Sequence, residues 1–129
     1  MKKLLLSLIL VFVSTTAYAG SYTAATPVTA GTIEAACQTA YNNVATGPHD
    51  VIIPDGTYND LGDITIDAGW DAFAAKRLTI KPATQNGVTL TGAVTFEILA
   101  NYWGIDNIIL DGVDRTDTPL GVDIFGDHF

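Results

Sequence analysis

The stretch Val88-Thr89-Leu90-Thr91-Gly92-Ala93 returns twenty residues later as Ile108-Ile109-Leu110-Asp111-Gly112-Val113, with a leucine and a glycine keeping their places in both copies. Short β-branched runs that recur at about one strand-turn-strand circuit are typical of a chain wound into stacked coils. They are less typical of a compact two-layer domain. Stacked coils have long faces, and such faces often bind extended polymers.

The segments around this repeat are short apolar runs separated by turn residues. An in-out-in pattern, as in Ile64-Thr65-Ile66, recurs along the chain and indicates strands of about three to five residues. We predict strands at 51–53, 64–66, 78–82, 88–90, 94–98 and 105–110, a turn at 54–58 and a longer excursion at 69–73.

Two architectures are compatible with such strands. Asn86-Gly87 and Asp55-Gly56 are hairpin-turn sequences, so an antiparallel β-sandwich is the alternative. Short runs that return after about 20 to 27 residues, rather than about 8 to 12, favour parallel coils instead. We therefore predict an all-β fold: a right-handed single-stranded parallel β-helix of the pectin-lyase type. It would have about three to four coils over residues 47–129.

One amphipathic helix is predicted at residues 32–46, after an extended lead-in at 20–31. Thr32 is its predicted N-cap, Glu34 lies in the predicted first turn, and Gly47-Pro48 follows its end. The helical spacing of its apolar stripe includes Ile33, Ala36, Cys37, Ala40, Tyr41 and Val44. Because the open end of a β-helix exposes apolar core and unpaired backbone groups, we expect this helix to cover that end.

The first residues have the character of an export signal. Lys2 and Lys3 precede an apolar run at 4–13, and Ala17-Tyr18-Ala19 is a small-x-small cleavage sequence. The apolar run has half of the roughly 20 residues that cross a bilayer. We predict a bacterial signal peptide at 1–19, cleavage near Ala19, a periplasmic or secreted product, and no membrane contact after cleavage.

Composition excludes one class of partner. The 129 residues carry 14 acids against 6 Lys and Arg, and loss of Lys2 and Lys3 takes the formal net charge from −8 to about −10. Phosphate binding needs clustered Lys and Arg, so we expect no nucleic-acid partner.

Cys37 is the only cysteine. It cannot form an intrachain disulfide, and we interpret it as a buried packing residue.

The chain resembles the N-terminal part of a known enzyme family in three further segments. These are Asp50-Val51-Ile52-Ile53-Pro54-Asp55-Gly56-Thr57-Tyr58, Arg77-Leu78-Thr79-Ile80-Lys81-Pro82-Ala83 and Ile98-Leu99-Ala100-Asn101-Tyr102-Trp103-Gly104-Ile105. Together with the helix and the repeat, over about residues 30–113, they resemble polysaccharide lyase family six, the chondroitinase B and alginate lyase family. The resemblance implies a right-handed parallel β-helix that cleaves uronic-acid polysaccharides by β-elimination, with an anionic polysaccharide as the partner.

The chemistry of β-elimination limits what this chain is expected to do. Removing a proton next to a carboxylate requires a base and a cation that neutralises the developing charge. The resemblance implies Ca²⁺ on the substrate, with a Lys and an Arg from later coils. No residue here matches that motif, so catalytic residues are expected beyond Phe129. Residues 113–129 show no C-terminal cap. We therefore expect the front of a longer protein, inactive alone and prone to self-association through its last coil.

Several residues were considered as sites. The aromatic candidates for sugar stacking are Trp70, Phe73, Tyr102 and Trp103. Trp70 is the preferred one, although a weak candidate, because it lies in the excursion; Tyr102 and Trp103 interrupt a strand pattern and are interpreted as packing at a coil corner. Lys76-Arg77 and Lys81-Pro82 are interpreted as solvated charges at strand ends. His49 is interpreted as a turn residue without a partner.

The acids near the end suggest other chemistries. Asp111, Asp114 and Asp117 lack the alternation and closing Glu of a calcium loop, so no metal site is predicted. Asp123 and Asp127, with His128 nearby, would suit an inverting hydrolase. The alternatives to a lyase fragment are thus a polygalacturonase-like hydrolase, an epimerase, and a non-catalytic β-helical surface or carbohydrate-binding protein.

Overall fold

The computed structural model describes residues 19–111 and the backbone of one later strand, Gly121–Ile124. The signal-peptide prediction for 1–18 lies outside the described residues, as do the side chains of Asp114, Asp117, Asp123, Asp127 and His128. The helix is α1 (Ala30–Asn42), followed by a 3₁₀ turn at Val44–Thr46. The strands are β1 (Gly20–Thr23), β2 (His49–Ile53), β3 (Gly56–Asn59), β4 (Gly62–Ile66), β5 (Leu78–Pro82), β6 (Val88–Thr91), β7 (Val94–Ile98), β8 (Trp103–Ile105), β9 (Ile108–Asp111) and β10 (Gly121–Ile124).

These strands form three sheets in which every pairing is parallel. Sheet A has the order β1-β2-β5-β8, sheet B has β3-β6-β9, and sheet C has β4-β7-β10. From β2 onward the chain visits sheets A, B and C in the same order three times. The predicted dominance of short strands is confirmed, and the absence of antiparallel pairing among the named strands contradicts the sandwich alternative.

The recurrence of residues 88–91 at 108–111 corresponds to one such circuit. β6 and β9 are neighbours in sheet B, with Val88 opposite Ile108 and Leu90 opposite Leu110. The preceding circuit is longer, because Gly56 of β3 pairs with Val88, thirty-two residues on. The expected return of about 20 to 27 residues is therefore wrong for that circuit. Its extra length lies in the loop at 67–77 and in the turn at 83–87.

One apolar core lies between the sheets. Burial alternates along β2, β5, β6 and β7, so that every second side chain points inward. The largest fully buried side chains are Trp103, Phe96, Ile33, Ile53, Ile64, Ile66, Leu78, Ile80, Leu90, Ile98, Val51 and Val88. Alternating Ile, Val and Thr favour such strands because their β-branched side chains pack well on the surface of a pleated sheet.

Helix α1 packs against β1, β2 and β4, and its buried side chains belong to this core. Its predicted beginning is wrong. The N-cap is Thr29, whose side chain accepts from the backbone N–H of Thr32, while Thr32 completes a capping box from the third helical position. Glu34 consequently lies beyond the first turn. The predicted stripe is confirmed, since Ile33, Cys37 and their apolar neighbours are buried.

Three strand predictions also need correction. The lead-in contains β1, and the predicted turn at 54–58 contains most of β3. The predicted strand at 105–110 is divided between β8 and β9 by a turn in which Asn107 has φ 56. Neither β1 nor β3 has a buried alternating pattern, because parallel backbone pairing rather than apolar side chains defines them. No helix in the described part of the chain has the length and apolar character needed to span a bilayer.

Candidate functional site

Two surface features lie at opposite ends of the strands of sheet A. The aromatic loop, residues 67–77, leads into β5, and the polar groove lies where β5 ends. The groove is lined by Lys81, Pro82, Ala83, Thr84, Gln85, Asp106 and Asn107. Between them the outer surface of sheet A carries Asp50 and Thr79, which are opposite each other in register. A polymer lying along β5 would therefore meet both features.

The aromatic loop is anchored by three contacts to the next circuit. The carboxylate of Asp71 accepts from the backbone N–H of Asn101 at 2.8 Å, and the carbonyl of Asn101 accepts from the N–H of Ala72 at 3.0 Å. The indole N–H of Trp103 donates to the carbonyl of Trp70 at 2.7 Å. Lys76 adds a bond from its ammonium to the carbonyl of Ala45. The loop is thus held in one shape, which lowers the entropic cost of binding.

The rings of this loop differ in exposure. Trp70, the predicted sugar-stacking residue, is half-buried and stacks against Tyr41 of α1, with ring centroids 6.4 Å apart and an interplanar angle of 18°. Phe73 is 55% exposed and is the most exposed large apolar side chain of the described residues. Trp103 is fully buried inside β8, which confirms packing as its role. Phe73, the other aromatic candidate in this loop, is thus more exposed than Trp70.

The polar groove has a volume of about 400 Å³ and opens to solvent. It exists because the turn after β5 has five residues, 83–87, whereas the corresponding turn after β8 has only Asp106 and Asn107. Lys81 contributes the ammonium, which pairs with the carboxylate of Asp50 at 2.5 Å. Both side chains are partly exposed, so the pair contributes little to stability. The groove therefore offers the amides of Gln85 and Asn107, the hydroxyl of Thr84, the carboxylate of Asp106 and one paired cation.

The turn aspartates have structural partners one circuit away. Asp55 accepts from the backbone N–H of Thr84 at 3.0 Å and from its hydroxyl at 2.6 Å. Asp60 accepts from the N–H of Ala93 at 2.9 Å. The hydroxyl bond and the backbone bond of Thr84 hold the pKa of Asp55 below its ordinary value. Asp55, Asp60 and Asp71 thus lie in the connections between strands, and each accepts from a backbone N–H of the next circuit.

His49 differs from its prediction. It is the first residue of β2, is 2% exposed, and has both ring nitrogens hydrogen-bonded. Its Nδ1 lies 2.8 Å from the backbone nitrogen of Gly20, and its Nε2 lies 2.7 Å from the carbonyl of Asn43. The prediction of a partnerless turn residue is therefore wrong. The sequence carries no signal for the contact with Gly20, because that residue is brought to His49 only when β1 pairs with β2.

Two candidate chemistries find no support in this part of the chain. Burial, with a smaller contribution from Glu34, raises the pKa of the Cys37 thiol and keeps it protonated, consistent with packing. Within residues 19–111, no three His, Cys, Asp or Glu side chains are grouped to hold a metal ion. The Ca²⁺ that the family resemblance implies is expected on the substrate and with residues of later coils, outside the described residues.

The described residues combine an anchored aromatic loop and a polar groove. The ammonium of Lys76 donates to the carbonyl of Ala45, and that of Lys81 pairs with the carboxylate of Asp50. No family model, curated protein or solved structure matches this chain.

Proposed function

We propose that sheets A, B and C are the three faces of a right-handed single-stranded parallel β-helix, with α1 over its N-terminal end. The repeated visiting order of the sheets supports this, as does a single core built from all three, for example from Val51, Ile64 and Leu90. The handedness follows from the strong preference of parallel crossover connections for the right-handed form. The predicted all-β class with one helix is the framework for this proposal.

We further propose that this β-helix is the N-terminal part of a secreted polysaccharide lyase acting on alginate or chondroitin/dermatan sulfate by β-elimination. The observation that carries the proposal is the stack of short parallel strands beneath an amphipathic helix. That is the architecture that the resemblance to polysaccharide lyase family six implies. The export signal at 1–19 agrees with a polymeric substrate, because such polymers are too large to enter a cell.

In this proposal the described residues bind the glycan and do not carry out the elimination. The rings of the aromatic loop would face sugar rings, and the groove at Lys81 would receive hydroxyls or a carboxylate from the same chain. The eliminating Lys and Arg, and any Ca²⁺, are assigned outside the described residues. The carboxylates of Asp123 and Asp127 remain candidates for the acid pair of a hydrolase.

A non-catalytic carbohydrate-binding protein is the second candidate, and one observation favours it. The chain has a formal net charge of −8, and like charges repel an anionic uronate polymer. Only four strong bases, Lys76, Arg77, Lys81 and Arg115, follow the predicted signal peptide. A neutral glycan would bind the aromatic loop and groove without that repulsion.

A single assay separates these candidates. The complete product of the reading frame that encodes this chain is secreted, purified and incubated with alginate, chondroitin sulfate, dermatan sulfate and polygalacturonate. A lyase creates a carbon–carbon double bond, so ultraviolet absorbance rises; a hydrolase releases reducing ends without that absorbance. A rise that a chelator abolishes and Ca²⁺ restores would support the lyase. Reducing ends alone would indicate a hydrolase, and neither signal with retained glycan binding would indicate the non-catalytic protein.

A further inference from the structure

In the contact between β1 and His49, Nδ1 of the imidazole ring is a hydrogen-bond acceptor for the backbone of β1. Gly20 donates its backbone N–H to Nδ1 of His49 over 2.8 Å. On the other side of the ring, Nε2 lies 2.7 Å from the carbonyl of Asn43 and 3.1 Å from the hydroxyl of Thr46. A backbone N–H only donates and a carbonyl only accepts, so this geometry requires the neutral tautomer with its hydrogen on Nε2. Nδ1 is thus aimed at residue 20 as an acceptor.

The position that faces this acceptor has room only for glycine. A Cβ on residue 20 would lie 2.9 Å from Nδ1 and 3.3 Å from Cε1 of His49. The imidazole has little freedom to withdraw, because it is 2% exposed and the ring of Tyr22 packs edge-on against it at 5.4 Å between centroids. Gly20 and His49 are also register partners of β1 and β2. The contact therefore fixes where the first strand starts on sheet A.

The sequence places a processing site at the same residue. Ala17-Tyr18-Ala19 is the predicted cleavage sequence, and Gly20 follows it directly. Ala19 is exposed and lies outside β1, so the peptide bond between Ala19 and Gly20 is at the surface next to the His49 contact. A cleavage motif and a glycine-specific anchoring contact thus meet at one peptide bond, although neither observation depends on the other.

We infer that Gly20 is the N-terminal residue of the processed protein and that Nδ1 of His49 binds its new α-amino group. Hydrolysis of the Ala19–Gly20 bond by a signal peptidase consumes a water molecule, leaving a carboxylate on Ala19 and an amine on Gly20. An α-amino group is largely protonated at neutral pH, so an amide N–H···N bond becomes a charge-assisted one. This inference rests on the export part of the proposed function and not on lyase activity.

Docking of the amine has a structural consequence for the processed chain. The end of a strand normally frays, because nothing holds its last residue. Here the terminal ammonium is bound by a side chain of the neighbouring strand, so β1 is tied to β2 at its first residue. The processed amine is accordingly expected to be protected from reagents that acylate exposed α-amino groups.

The test begins with the full precursor, secreted by a bacterial host with its own leader. Mass spectrometry of the intact product should give a chain that begins at Gly20; a mature chain that begins at any other residue overturns the inference. The purified product is then treated near neutral pH with an N-hydroxysuccinimide acetate, and acetylation of the α-amine is followed by peptide mapping. The rate is expected to be at least about tenfold lower in the native protein than in urea. A short unstructured peptide with a free α-amine, added to the same solution, provides the reference for reagent activity.

Two variants at position 49 assign the protection to the acceptor. His49→Asn keeps an oxygen near the place of Nδ1, whereas His49→Gln keeps a polar group near Nε2 and removes the acceptor for residue 20. Protection should persist in H49N and be lost in H49Q. Equal acetylation rates for the native and urea-treated wild type, or full protection in a folded H49Q, would overturn the inference. If H49Q does not fold, the wild-type and H49N rates decide. The lyase assay is independent, so failure of either proposal leaves the other measurable.

Discussion

The carboxylate of Glu34, on α1, accepts a hydrogen bond from the backbone N–H of Thr65, in β4, at 2.7 Å. β4 is the first strand of sheet C and has no strand on the side that faces α1. An edge strand presents unpaired backbone donors, and a buried donor without an acceptor is costly. The helix therefore covers the core with its apolar stripe and also supplies an acceptor to the sheet edge.

This relationship predicts an effect of removing the acceptor. Glu34→Ala should lower the free energy of unfolding by about 1–3 kcal/mol, because the Thr65 N–H is left without its partner. Glu34→Gln keeps an oxygen at the same distance along the side chain and should cost less. Urea denaturation followed by circular dichroism provides the measurement. Gln38→Ala, at an exposed position of the same helix, is the control; an equal loss in both alanine variants would contradict the role of Glu34.

Alanine substitutions at three glycines distinguish destabilisation by backbone strain from destabilisation by steric contact. Gly92 has φ 69, and a Cβ there would lie 2.2 Å from Oδ1 of Asp60; Gly62 has φ 77 with nothing within 4 Å. Gly104 has neither feature. Alanine at Gly104 should change stability by less than about 0.5 kcal/mol, and at Gly62 it should cost about 1–2 kcal/mol. Alanine at Gly92 should cost more than at Gly62, because the corner bond of Asp60 to Ala93 is displaced as well.

The same urea titration ranks the three variants, and their order is the result that matters. If Gly62→Ala and Gly92→Ala were equally destabilising, then the contact with Asp60 would contribute nothing. If Gly104→Ala matched them, the loss would not depend on positive φ. Gly92, in the repeated motif, would then have a role other than adopting a positive φ.

The repeat was readable from sequence because equivalent residues of successive circuits pair in register. Leu90 and Leu110 share a column of sheet B, so the twenty-residue spacing is a direct consequence of the pairing of β6 with β9. The helix was readable for a similar reason, since its stripe faces the core. His49 and Glu34 were misread because their partners, Gly20 and Thr65, are 29 and 31 residues away and are joined only by the fold. A hydrogen bond between a side chain and a single backbone atom produces no periodic pattern in the sequence.

The candidate site was less predictable than the fold. Trp70 was selected because it lies in an excursion between strands, and the structure places it in that loop but half-buried against Tyr41. The exposure of Phe73 and the groove beside Lys81 depend on the different lengths of successive turns. Turn length can be read from a sequence only after the register of the circuits is known.

Asp55 predicts a pH dependence with a definite sign. Its bonds from Thr84 lower its folded-state pKa beneath the ordinary value of 3.8, so the unfolded chain takes up the proton first as the solution is acidified. The stabilisation is complete well above pH 3.8 and is lost as the pH falls through the folded-state pKa. The Tm of Asp55→Asn should therefore be below that of the wild type at neutral pH, and the difference should close in acid.

Thermal unfolding monitored by circular dichroism at several pH values measures this difference. Asp63→Asn, at an exposed position of β4, is the control for the loss of one surface carboxylate. A gap for Asp55→Asn that widens on acidification would have the wrong sign for a carboxylate stabilised by donors.

The aromatic loop provides the prediction closest to function. Phe73 is 55% exposed on a loop fixed by Asp71 and Ala72, so its ring is available without any rearrangement of the fold. Loss of one stacking ring should raise the Kd for an oligosaccharide by about threefold to tenfold. Phe73→Ala should show that increase in isothermal titration calorimetry with alginate or chondroitin oligosaccharides, while its unfolding midpoint stays near that of the wild type. Ile109→Ala, at an apolar position of similar exposure on β9, should leave the Kd unchanged.

Trp70→Ala is expected to differ from Phe73→Ala, because the half-buried Trp70 ring packs against Tyr41 and is also partly exposed. Trp70→Ala removes the ring that stacks on Tyr41, so it should lower stability as well as affinity. Trp70→Phe retains an aromatic ring against Tyr41 and should recover most of the stability. If oligosaccharides bind Phe73→Ala as tightly as the wild type, and Trp70→Phe also binds normally, then the aromatic loop is not the glycan surface. Binding would then have to be sought at the groove beside Lys81, where Lys81→Met tests the ammonium directly.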